Sequence, residues 1–139
     1  MKAAPIPLEW QEQVAVVDWW RSYAPTVGLD ARLLVCSANG ALLGGDKRLR
    51  AIQMARLKRM GLVAGDPDLH LRLRRGTFCG LFLELKSRNW REPVSGKALA
   101  HFARQRAMWE VLREDYCVQL ATTSEAAIDC IRQYVRLKT

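Results

Sequence analysis

The chain has 139 residues, the size of a single domain with one hydrophobic core of its own. Half its residues are apolar and about a quarter are charged, which excludes a disordered or fibrous protein, and no run approaches the roughly 20 apolar residues that a membrane span requires. Its 22 Lys and Arg against 14 Asp and Glu leave a net charge of +8, and 16 of the 22 cations are Arg. The forked donors of Arg suit phosphate oxygens, so the expected partner is a nucleic-acid backbone before a membrane.

Met1 to Pro7 carries one cation and no apolar run, so no secretory signal is expected. Leu8 to Tyr23 reads as the first helix, with Trp10, Val14, Val17 and Val16, Trp20, Tyr23 at helical spacing behind two prolines. Leu33 to Cys36 is a short apolar strand that ends at the turn signal Asn39-Gly40. Lys47 to Met60 is a basic helix, closed by Gly61 as a C′ glycine.

After Gly65-Asp66-Pro67 the period changes to two. Leu69, Leu71 and Leu73 alternate with Asp68, His70, Arg72 and Arg74 in a half-buried strand. Gly76 turns the chain into a second strand, Phe78 to Lys86. Ser87 to Lys97, with Pro93 and Gly96, reads as a loop. Leu99 to Glu114 is an amphipathic helix with Phe102, Met108, Trp109 and Leu112 on its apolar side. Tyr116 to Ala121 is a further strand. Thr122 and Glu125 have capping-box spacing and open a last helix with Ile128, Ile131 and Val135 on one stripe. No repeat or low-complexity tract interrupts residues 1–139, so one α/β domain is expected, a small mixed β-sheet flanked by helices. The tryptophans Trp10, Trp19, Trp20 and Trp109 are expected in its core. The cysteines Cys36, Cys79, Cys117 and Cys130 have neither CxxC nor zinc-ligand spacing and are expected to be reduced, mostly buried thiols of an intracellular, cytoplasmic protein.

The two middle strands make a geometric claim. With Arg75-Gly76-Thr77 as a three-residue loop, Arg74 faces Phe78 and Asp68 faces Glu84, with Lys86 two residues further along. Alternation then puts Asp68, Glu84 and Lys86 on one side of the ribbon and the six leucines on the other. Two opposed carboxylates repel unless a cation lies between them, and oxygen-only ligation suits a hard ion such as Mg²⁺ or Mn²⁺. A neighbouring lysine can orient a water or stabilise charge on a phosphate. Pro67 gives Asp68 a rigid placement, and Glu84 stands inside the apolar run Gly80 to Leu85, where an unpaired charge is costly. His70 and His101 are candidate ligands by residue type, with His70, two residues from Asp68, expected beside this site rather than on the metal.

Pro67-Asp68, followed 16 residues on by Glu84-Leu85-Lys86, resembles the PD-(D/E)xK nuclease motif. Ser37 to Gly40, Arg56 to Gly65, Gly80 to Lys86, Gln105 and Leu112 to Tyr116 together are similar to the virus-type replication-repair nuclease (VRR-Nuc) domain, from about Glu9 to Tyr134. The resemblance implies a restriction-endonuclease-like core, with Asp68, Glu84 and the Leu85 carbonyl as metal ligands and Lys86 as the catalytic lysine. It also implies a glutamate from the first helix at the metal, Glu12 by preference or Glu9, and Gln105 in support of the lysine or a phosphate. Members resemble endonucleases that work as homodimers on branched DNA such as four-way (Holliday) junctions, in bacterial or phage settings. A non-catalytic DNA-binding module and a sequence-specific restriction-type nuclease are the alternatives.

The chain departs from that family in its 19-residue spacing from Lys86 to Gln105, with Asn89-Trp90-Arg91 among the extra residues. This insertion touches substrate, touches a partner subunit, or is a surface loop. Asn39-Gly40 is also followed by Ala-Leu-Leu-Gly-Gly rather than a basic residue. Two cationic stretches flank the acids: Lys47, Arg48, Arg50, Arg56, Lys58 and Arg59, then Arg88, Arg91, Lys97 and Arg104 with Lys86, Arg106 and His101. Both are expected to contact DNA phosphates, and Trp90 is the tryptophan expected to touch DNA.

Overall fold

A computed structural model describes residues 2–37 and 43–139. The expected Asn39-Gly40 turn and the family-like stretch around it lie outside the described residues. The elements follow the expected order: α1 (Glu9–Thr26), a 3₁₀ turn (Ala31–Leu33), β1 (Leu34–Cys36), α2 (Lys47–Arg59), β2 (Leu69–Leu71), β3 (Leu81–Leu85), α3 (Gly96–Leu112), β4 (Cys117–Ala121) and α4 (Ser124–Val135).

The strands form one mixed sheet in the order β1-β2-β3-β4. Neighbours β1–β2 and β2–β3 are antiparallel, whereas β3 and β4 are parallel. A parallel pair needs a crossover, and α3 supplies it. The expected register holds in the middle of the ribbon, where Leu69 pairs Leu83, His70 pairs Phe82 and Leu71 pairs Leu81. The turn differs. Arg75 and Phe78 exchange both backbone hydrogen bonds, at 3.2 and 2.9 Å, so the loop has two residues, Gly76 and Thr77. The irregular stretch Arg72 to Arg74 holds one residue more than Cys79-Gly80 opposite it, which restores the register before the acids are reached.

One face of the sheet carries the leucines. Leu69, Leu71, Leu81, Leu83 and Leu85 are buried against Val16, Trp20 and Ala24 of α1 and against Ala127, Ile131 and Tyr134 of α4, with Leu73 at the margin. The α1 residues recur every four positions, one helical stripe. The opposite face is not solvated. α3 covers it, packing Phe102 and Trp109 on Phe82 and Val118 in a second apolar cluster. Every residue of β3 is therefore buried, and the single core expected from chain length is divided by the sheet into two layers.

Several local expectations are corrected. Trp10 and Val14 are exposed, because the buried stripe of α1 lies on the Glu12, Val16, Trp20 side. None of the four free cysteines is fully buried, and Cys36 and Cys79 are exposed. Thr123, not Thr122, caps α4, its hydroxyl accepting from the Ala126 amide at 3.0 Å. The basic helix behaves as expected at both ends. Asp46 accepts from the Leu49 amide, and Gly61, at φ +109°, lets the Leu62 amide reach the Leu57 carbonyl at 2.9 Å. Yet α2 buries no residue, since cations interrupt any apolar stripe along it. Among the described residues no helix is long and apolar enough to cross a membrane.

Candidate active site

Continuing the β2–β3 register by one residue sets Asp68 opposite Glu84, and the structure ties the two ends together. Asp68 Oδ2 accepts from the Leu85 amide at 2.7 Å. The approach to Asp68 is fixed from behind: Pro67 is fully buried and Gly65 lies at φ +89° against α3. A Cβ at Gly65 would sit 3.0 Å from the Arg104 carbonyl and 3.2 Å from Gln105 Cα, so glycine alone brings this loop down onto the helix turn that carries Gln105.

Gln105 completes the cluster. Its Nε2 donates to Glu84 Oε1 at 2.9 Å, and its Oε1 accepts from Lys86 Nζ at 2.9 Å. Lys86 Nζ also lies 3.2 Å from Glu84 Oε1. Glu84, Lys86 and Gln105 are all buried, and the second oxygen, Glu84 Oε2, is buried with no hydrogen-bond partner. Desolvation, then the Asp68 charge, push the Glu84 carboxyl up to about 7 despite the lysine. Asp68 is also raised, chiefly by burial, with the Leu85 amide opposing. The acids open into a cavity of about 500 Å³, with Glu9, Lys58 and His101 among its walls. Glu9 is raised as well, by partial burial and by Asp68.

The expected residues thus divide. Asp68, Glu84, Lys86 and Gln105 come together, and of the two helix glutamates it is Glu9 that reaches the cavity. Glu12, the preferred candidate, points elsewhere: its carboxylate takes Arg88 Nε at 2.5 Å and the Ser124 amide at 2.7 Å. Arg88 holds it below the usual carboxylate range. Arg88 itself, expected on DNA, is clamped between Glu12 and Glu125. Trp90 is half-buried against Phe102, ring centroids 5.3 Å apart, so the insertion folds back on the domain. His70 is not in the cavity; it stacks on Phe82 at 4.0 Å beneath α3, its Nε2 buried without a partner. Lys47, Arg48, Arg50, Arg56, Lys58, Arg59, Arg91, Lys97 and Arg104 are exposed, with Lys58 on the cavity wall. His101, a candidate ligand from its residue type, stands on the cavity wall one helical turn before Gln105.

A divalent ion suits this donor set in part. Two opposed acids, one with a buried oxygen lacking any donor, offer the hard oxygen ligands such ions take. Among the described residues no three His, Cys, Asp or Glu side chains converge as a complete cage.

The fold is that of a solved structure described as "VRR_NUC domain protein". The two match with a TM-score of 0.65 over 99% of this chain and 93% of that one, at 24% identity. No family model and no curated protein matches the chain. The mixed sheet between helices is accordingly a restriction-endonuclease-like core.

Proposed function

We propose that this protein is a Mg²⁺- or Mn²⁺-dependent endodeoxyribonuclease, a phosphodiester hydrolase with Asp68, Glu84 and Lys86 at its reacting centre. The observation that carries this reading is the Glu84 carboxyl: one oxygen is held by Gln105 and Lys86, the other is buried and unpartnered, and Asp68 stands across the ribbon. A desolvated acid with a free acceptor beside a second acid calls for a cation. Asp68, Glu84 and the Leu85 carbonyl would hold it, with Glu9 at the rim, and a hard ion that retains several waters needs no complete protein cage. When bound, such an ion acidifies a water and offsets phosphate charge.

The remaining chemistry belongs to the chain. A water oxygen bonds to phosphorus and gives up a proton to solvent as the bond to the leaving sugar oxygen breaks and that oxygen takes a proton from solvent, and negative charge builds on the phosphate oxygens. The Lys86 ammonium meets that charge in a site of low dielectric. Gln105 fixes both Lys86 and Glu84 by its two amide atoms, so neither must reorganise during the reaction. From the resemblance of its motifs to the VRR-Nuc domain, the proposed substrate is branched DNA, such as four-way junctions, and the proposed working form a homodimer. A two-fold pair presents two sites to symmetric strands.

The test is cleavage of linear, flapped and four-way DNA in Mg²⁺ and in Mn²⁺. Wild type is expected to cut, and Asp68→Ala and Lys86→Ala to lose about a hundredfold or more. Normal cleavage by either variant refutes the assignment. Binding without cleavage, unchanged by EDTA, marks a DNA-binding module instead, and discrete fragments from linear plasmid mark a sequence-specific enzyme.

A further inference from the structure

The cavity at the acids continues on its other side. A second groove, of about 790 Å³, shares Glu9 and Asp68 with it and lies between α1 and β1. Its α1 wall carries Trp10, Gln13, Val14, Val17, Asp18 and Arg21. Trp10 is 63% exposed and Val14, one turn on, 48%, so the helix holds an indole and a valine in water that the core does not use. Beyond the shared acids this wall has one cation and one anion. The α2 wall of the site, by contrast, carries Lys58, on a helix whose Lys47, Arg48, Arg50, Arg56 and Arg59 are all exposed.

We infer that the groove beside Trp10 binds an unpaired nucleotide of the substrate strand, base inward on the indole, next to the phosphate that Lys86 and the ion ligated by Asp68 and Glu84 would receive. The inference rests on the nuclease reading and adds the local state of the substrate. A strand crossing the site passes from a cationic side that grips phosphates to a side that is neutral, apolar and aromatic. The latter has little to offer a phosphate and much to offer a base: a ring face, an apolar floor at Val14 and Val17, and the Gln13 amide for a base edge. A base can lie flat on Trp10 only when it has left its own stack. The substrate class is therefore branched DNA in which the strand being cut is unpaired on one side of the scissile bond, as in a flap or a junction opened at its branch point.

The experiment uses the full chain in Mg²⁺ with two substrates of one sequence, one fully duplex and one unpaired from the cut onward, with 2-aminopurine as the first unpaired base. Trp10 is exposed, so Trp10→Ala and Trp10→Phe keep the fold. Wild type is expected to quench the 2-aminopurine and to prefer the unpaired substrate. Trp10→Ala is expected to raise KM on that substrate by about five- to a hundredfold, with duplex cleavage unchanged, and Trp10→Phe to restore most of the loss. Equal loss on both substrates, or no quenching by wild type, overturns the inference. A dimer in sedimentation that Trp10→Ala dissociates also overturns it, assigning the groove to a second copy of the chain. If no DNA is cut in either metal, the nuclease reading fails separately, while quenching still judges the groove.

Discussion

Glu12 and Arg88 join the first helix to the segment just beyond β3, and between them every oxygen of the glutamate is engaged. Arg88 Nε and the Ser124 amide take one oxygen each, Arg88 Nη2 lies 3.4 Å from the second, and Nη2 also reaches Glu125. The guanidinium thus spans α1 and the first turn of α4, two residues after Lys86. Glu12 is positioned to fix the course of the chain that carries the lysine, a role distinct from the metal ligand that its sequence position suggests.

Replacing Arg88 by Ala leaves Glu12 buried with the Ser124 amide alone, whereas Glu12→Gln removes the buried charge and keeps an acceptor for one of the two donors. Arg88→Ala is therefore expected to lower Tm more than Glu12→Gln. Glu12→Ala is expected to cost about 1–3 kcal/mol, since the buried Ser124 amide loses its acceptor. The Glu12 carboxyl is held low in the fold, so its contribution is present above the ordinary carboxylate range and lost as pH falls through its folded value. Thermal melts across acid pH should show that loss in wild type and a smaller one in Arg88→Ala. Identical acid profiles would remove the pair from the account.

The Glu84 carboxyl titrates on the opposite side of its ordinary value. Raised to about 7, it keeps its proton in the metal-free fold until near neutrality. A raised acid stabilises the fold below its unfolded pKa and loses that contribution as pH climbs through the folded one. Metal ligation needs the carboxylate, so proton and ion compete. The Tm increment produced by Mg²⁺ or Mn²⁺ is expected to grow as pH rises from about 6 to about 8, and Glu84→Gln to abolish the growth. An increment independent of pH in wild type would exclude Glu84 as a ligand.

Gln105 offers a separable test of positioning. It touches both Glu84 and Lys86 from α3, across the sheet face, and the packing of Gly65 against its own backbone sets its height. Gln105→Ala leaves Glu84 and Lys86 joined only by their own ion pair, with Lys86 Nζ 5.8 Å from the Trp90 ring centroid. Its expected effect is a fall in kcat of about 10- to 100-fold with little change in KM, because a partner of the reacting groups is lost rather than a substrate contact. Gln105→Glu places a third acid against Glu84 and should be worse than alanine at alkaline pH. A change confined to KM would make Gln105 a phosphate contact instead.

What the sequence revealed follows from which features are local. Alternation and register needed only the ribbon itself, so the opposition of Asp68 and Glu84 survived a wrong turn: the extra residue among Arg72 to Arg74 cancels the shorter loop. The choice between Glu9 and Glu12 was not local. Both lie on the first turn of α1, and only the approach of Arg88, just beyond β3, and of the Ser124 amide, at the start of α4, decides that Glu12 is taken. Trp10 escaped for a related reason. Helical spacing finds a stripe but not its partner, and α1 carries two apolar stripes of which the sheet and α4 cover one. His70 shows the same blindness across layers, since nothing near it in sequence announces that α3 will close over Phe82.

The basic helix α2 supplies the last prediction. It buries nothing, its six cations are exposed, and Lys58 reaches the wall of the acid-lined cavity. Its conformation rests on its own caps at Asp46 and Gly61 rather than on the core, so neutralising its cations should leave Tm nearly unchanged. Each cation that meets a phosphate releases condensed counterions on binding, so the logarithm of affinity falls with the logarithm of salt by about 0.9 per contact. Arg56→Gln, Lys58→Gln and Arg59→Gln are each expected to weaken binding on every DNA sequence alike, and each true phosphate contact to reduce the salt slope by about one. Lys58→Gln is expected also to slow cleavage at saturating DNA, because its side chain faces the acids, whereas Arg56→Gln and Arg59→Gln should alter binding alone. A salt slope unchanged in the triple variant would detach α2 from the DNA and leave the α3 side, with Lys97 and Arg104, as the phosphate-binding surface.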